Sequence, residues 1–180
     1  MDPIVAEQLT RWSVRLAIVC YLGRMALELA LRGKLRTQLI HKIARWLWTI
    51  GCLLYFMHVV CAFQFFHDWS HRVAILHTAE QTAEVTGMRW GGGLYFNYAF
   101  TLLWGVDAVA WWLGDVAAHG RGKTYYWLLH GVFAFMVFNA TVVFGPPVWK
   151  PIALVVGIGL AITYARSKAS RESISPREPL

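Results

Sequence analysis

Residues 44–66, ARWLWTIGCLLYFMHVVCAFQFF, carry one formal charge, Arg45, and run apolar from there to the end of the stretch. A bilayer's hydrocarbon core is about 30 Å thick, which takes about 20 residues of helix to cross. The stretch therefore reads as a transmembrane helix. Four further windows have the same character, at residues 12–31, 93–117, 124–144 and 148–165. Together they predict an all-α polytopic transmembrane bundle of about five spans, forming one membrane-embedded unit over residues 1–166. The first window is the weakest, because Arg15, Arg24 and Glu28 interrupt it. Those charges equally suit an amphipathic helix lying on the inner surface, which would leave four spans. They also argue against a cleaved signal peptide, since the apolar run is broken and no clear small-x-small pattern follows it.

Composition points the same way. Charged residues make up 15% of the chain and apolar ones 57%, against about 25% charged in a typical soluble domain. The formal net charge of +7 would raise the question of nucleic acid in a soluble protein. Here the positive residues collect between and after the spans, as they do in cytoplasmic loops, so the partner is the lipid bilayer and not nucleic acid. Arg32, Lys34, Arg36 and Lys42 lie in the first connection, Arg121 and Lys123 in the third, and Arg166, Lys168 and Arg171 in the tail. The second connection holds Arg72 and Arg89 against Asp68, Glu80 and Glu84. With five spans this bias puts the N-terminus outside and the C-terminus in the cytoplasm, in a bacterial inner membrane. Trp12, Trp46, Trp48, Trp69, Trp90, Trp127 and Trp149 fall at or near the proposed ends, where an indole can be half wet, while Trp104 is central. Residues 167–180, rich in Ser, Arg, Glu and Pro, read as a disordered cytoplasmic tail.

Cys20, Cys52 and Cys61 all fall inside apolar windows and act as small hydrophobes. The ionisable residues inside the spans are costly there and tend to pair or to line a path. Counting helical rise along alternating spans places Arg24 level with Asp107, and Glu28 level with His130. His58 and Asn139 share a third level in the outer half, and Gln64 and Asn97 a fourth. Such pairs read first as structural glue between helices. The alternative is a proton or ion route whose inner half is Arg24, Glu28, Asp107 and His130. A bis-histidine haem on His58 and His130 fits poorly, because the two differ in depth by roughly 11 Å and ligands to one iron are nearly level.

The outer connection, residues 67–86, lacks Gly and Pro and predicts an amphipathic helix with a polar, imidazole-rich face. On it His67 and His71 would be one turn apart. Two such imidazoles can share a divalent zinc, copper or iron ion, with Asp68, His77, Glu80 or Glu84 as further ligands. Gly87 and Gly91–Gly93 would let the chain turn back, the triple glycine serving as a hinge or close-packing point. Gly157 with Ala161, and Gly114 with Ala118, have the spacing for close helix approach. G-x-S-x-G, H-E-x-x-H, C-x-x-C-H and a phosphate-cradling glycine loop are all absent. The residues thus suggest a small metal- or cofactor-associated membrane subunit with its site on the outer face, not an enzyme by itself. The alternative is a non-catalytic accessory subunit or carrier, with protein partners or as a homo-oligomer.

Overall fold

The computed structural model of the chain describes residues 2–30, 38–114 and 122–172. These form α1 (Pro3–Ala30), α2 (Gln38–Phe66), α3 (His71–Thr86), α4 (Gly93–Trp112), α5 (Lys123–Phe138) and α6 (Trp149–Glu172). A π-helical turn, Asn139–Val143, extends α5. No strand occurs among the described residues, so the fold is all-α. Among the described residues two helical runs are long and apolar enough to cross a membrane, Gln38–Phe66 and Thr124–Val143. The first of these contains the stretch quoted above.

Several boundaries differ from the sequence expectations. α1 begins at Pro3, well before residue 12, and α6 continues to Glu172, into what composition marked as tail. The rest of the tail, residues 173–180, lies outside the described residues, as do Arg32, Lys34, Arg36, Arg121 and Ala118. The largest difference is in the outer connection. α2 stops at Phe66, and Asp68 and Trp69 adopt the left-handed conformation, at φ 48° and 55°. The amide of Trp69 donates to Phe63 O at 3.1 Å, closing the end of α2 as a Schellman-type cap does. Ser70 then caps α3, its hydroxyl accepting from the Val73 amide at 3.3 Å. His67 is therefore outside α3 while His71 opens it, so the two are not neighbours on one helical face.

Glycine acts where the chain needs close approach. Gly87, at φ 77°, ends α3. A Cβ on Gly91 would lie 2.6 Å from Ile75 O, so the triple glycine does pack directly against α3. Within the bundle the tight position is Gly51 of α2, where a Cβ would fall 2.9 Å from the Trp104 ring and 3.1 Å from Cys20. Among the described residues nothing lies within 4 Å of where a Cβ on Gly157 or Gly114 would be.

α1 and α2 make the most extensive helix pairing. The core lies where they meet α4 and α5, and it is aromatic. Phe133 of α5 contacts Tyr21, Trp48, Phe100 and Trp104 with ring centroids 4.6–4.8 Å apart, at the separations and tilts that aromatic quadrupoles favour. α6 packs beside α1, where Arg15 lies over the Trp149 ring at 5.2 Å. Outward faces carry large apolar side chains, among them Leu53, Leu102, Val106, Leu128 and Val155, each more than 60% exposed.

Candidate functional site: a buried polar cluster beneath an outer cavity

The inner cluster is built around Trp48, which is fully buried. Its indole N–H donates to Asp107 Oδ2 at 2.9 Å, and the Tyr125 hydroxyl donates to Oδ1 of the same carboxylate. The Arg24 guanidinium lies 3.9 Å from the centre of the Trp48 ring and 4.7 Å from that of Trp111. Its ion pair is with Glu28, one turn along α1, at 2.8 Å. Arg24 and Asp107 are both buried, as equal depth suggested, but what joins them is the indole they share. Among the described residues Arg24 Nη1, which is buried, has no hydrogen-bond partner, which is tolerable for a guanidinium sandwiched by two indole faces.

Glu28 and His130 are likewise joined through a third residue. The Tyr126 hydroxyl donates to Glu28 Oε2 at 3.3 Å, and the Tyr126 ring meets the His130 ring at 4.2 Å. The Tyr21 hydroxyl lies 3.4 Å from His130 Nδ1. The charged members of this cluster are legible in the sequence; Trp48, Tyr21, Tyr125 and Tyr126 are not. Aromatic residues with one polar atom suit a wet membrane boundary and a dry core equally well, and only the placement of an acceptor distinguishes the two.

Above the cluster, toward the α2–α3 corner, is a cavity of about 850 Å³ lined by all of α1 to α5 and the π turn. His58, Asn139, Asn97, His67 and His77 line it, together with the core rings of Tyr21, Tyr55, Phe100, Trp104 and Phe133. His58 and Asn139 thus border a common space, although their hydrogen bonds go elsewhere: His58 Nδ1 to Thr10 O at 2.8 Å, and Asn139 Nδ2 to Phe135 O at 2.8 Å. Gln64 accepts from the Trp69 indole at 3.0 Å.

At the end of the cavity next to the α2–α3 corner His67 and His77 face each other, with ring centroids 5.2 Å apart. Burial, and secondly the imidazole of His77, push the His67 pKa below its ordinary value. His71 turns away to α4, its Nδ1 3.0 Å from the Tyr98 hydroxyl and its Nε2 3.5 Å from that of Tyr95. Asp68 sits in the exposed elbow, and Glu80 pairs with Arg89 at 3.2 Å. Among the described residues no three His, Cys, Asp or Glu side chains converge so as to hold a metal ion. Of the expected ligands, His67 and His77 come together and His71 does not; the elbow at Asp68–Trp69 is the reason.

No protein-family model matches this sequence, and no curated protein and no solved structure matches it.

Proposed function

We propose that this chain is a multi-pass integral membrane protein of a bacterial inner membrane, with five spanning helices and a cytoplasmic C-terminus, that binds a small molecule or cofactor in its outer cavity. The cavity itself carries the reading. Its volume of about 850 Å³ lies within the range of about 300–1,000 Å³ typical of ligand sites, and its lining combines mostly apolar walls with a few polar groups, as such sites do. The spanning topology is supported by the two helices apolar enough to cross alone and by the large apolar side chains exposed on α2, α4, α5 and α6, which water would not tolerate as a continuous surface. It is supported also by the burial of Arg24 of α1 against Trp48 of α2 rather than on a membrane-facing surface.

A divalent metal as part of the ligand is favoured by His67 and His77. Two imidazoles on one tetrahedral ion, with metal–nitrogen bonds of about 2.0–2.1 Å, have ring centroids about 5 Å apart, close to the 5.2 Å found here. Zinc, copper or iron there would take its remaining ligands from the bound molecule or a partner subunit. The inner cluster fits a structural role, since Glu28 and Asp107 each meet donors from other residues.

The test has two parts. In a variant with the three native cysteines replaced, Glu84→Cys on the exposed side of α3 should react with an impermeant reagent added outside, and Ser170→Cys should not; the reverse pattern would overturn the orientation. Metal analysis and an optical spectrum of the gently solubilised protein should then show a bound species that His67→Ala, His77→Ala removes. Metal-free, colourless protein would restrict the cavity to an organic ligand.

A further inference from the structure

One polar group in the cavity has its hydrogen-bonding direction fixed by the fold. His58 Nδ1 lies 2.8 Å from the carbonyl oxygen of Thr10 on α1. A carbonyl only accepts, so Nδ1 carries the proton, and in the neutral ring Nε2 is left as an acceptor. No hydrogen bond to Nε2 is made among the described residues, and His58 lines the cavity. The wall that shares this space is aromatic: Tyr55 meets Phe100 edge-on at 4.9 Å, Phe100 meets Trp104 at 5.5 Å, and Phe133 meets Trp104 at 4.7 Å. An occupant that matches both features brings a hydrogen-bond donor for Nε2 and a ring for the aromatic wall, on a body apolar enough to come from the bilayer. A carboxylate or phosphate would offer that nitrogen only acceptors, and a saturated lipid tail would leave it unpaired at a cost.

We propose that the cavity binds a phenolic amphiphile of the quinol class, its hydroxyl donating to His58 Nε2 and its ring lying beside Tyr55 and Phe100 in the aromatic lining. This rests on the cavity being a ligand site and adds which chemistry it selects.

The purified protein in detergent, kept under reducing conditions, would be titrated calorimetrically with a decyl-substituted hydroquinone, with its dimethyl ether and with decanol. The hydroquinone should bind about tenfold more tightly than the ether, the factor one neutral hydrogen bond supplies, and more tightly than decanol, which has the hydroxyl but no ring. His58→Phe should bring the hydroquinone down to the affinity of the ether, and His58→Gln, which keeps an acceptor, should recover part of the difference. If His58→Phe does not fold, the comparison of the three probes on the native protein still decides. Equal affinity for hydroquinone and ether overturns the His58 assignment while leaving the cavity as a site. Decanol equal to the hydroquinone overturns the choice of a ring. Binding of none of the three overturns both this proposal and the ligand-binding reading on which it rests.

Discussion

Trp48 holds two charged groups in place by two different parts of one side chain: the edge serves Asp107 and the face serves Arg24. Asp107→Ala would take the shared carboxylate from the Tyr125 hydroxyl and leave the fully buried Trp48 N–H without its acceptor, and an unsatisfied buried donor costs about 1–3 kcal/mol. Asp107→Asn keeps a carbonyl oxygen and should lose less. Thermal unfolding in detergent should rank native above Asn above Ala, and Trp48→Phe should shrink the gap between the Asp107 variants. An unchanged gap would mean the indole is not the partner that matters. At this scale the charges were legible in the sequence, because an ionisable residue inside an apolar run is conspicuous, and simple helical rise put Arg24 and Asp107 at one depth. The indole between them was not. Trp48 lies near a span end, where a tryptophan reads as a boundary marker, yet it is fully buried. Gly51 escaped notice for a related reason: the absence of a side chain becomes significant only once the Trp104 ring is known to lie against it.

Among the elements, the α2–α3 corner decides what the histidines can do. A run without Gly or Pro reads as unbroken helix, but Asp is one of the few residues that tolerates the left-handed region, and with Ser70 as a cap the elbow turns His67 toward His77 and away from His71. The local signal was Asp68-x-Ser70, which the periodicity overrode. The corner should respond to acid. Folding lowers the His67 pKa, so between the folded value and the ordinary value near 6.5 the unfolded chain binds more protons than the folded one. The stability tied to His67 is complete above that ordinary value and drains away as pH falls from it toward the folded value. Hydrogen exchange of the α3 amides, corrected for intrinsic rates, should therefore show less protection at pH 5 than at pH 7.5, and His67→Gln should remove much of the difference. Protection independent of pH in the native protein would sink the idea. The helices themselves were largely readable, since length and apolarity suffice for α2 and α5; their ends were not, because caps depend on single residues.

For the whole molecule, the apolar exterior and aromatic interior invert the usual reading of a soluble protein, and composition alone pointed to this, with 57% apolar residues in the chain. What composition could not convey is that a cavity opens beside the rings, since cavities arise from how helices diverge and not from what they contain. The pairing of α1 with α2 bears on how such a bundle is made. Arg24 is buried against Trp48, a residue of the next helix, and an arginine within a spanning helix opposes insertion through the translocon, by up to about 2.5–3.5 kcal/mol at a helix centre. A ribosome delivers α1 first, before the indole that shelters its arginine has been synthesised. Nascent chains ending at residue 37 should consequently remain extractable from membranes by alkaline carbonate, and chains ending at residue 70 should resist extraction unless Trp48 is replaced by Ala. Equal resistance of the two lengths would show that α1 enters unaided; under the five-span topology proposed above, the expected difference means that the two helices enter the lipid as a hairpin, and biosynthesis commits to the membrane only once both exist.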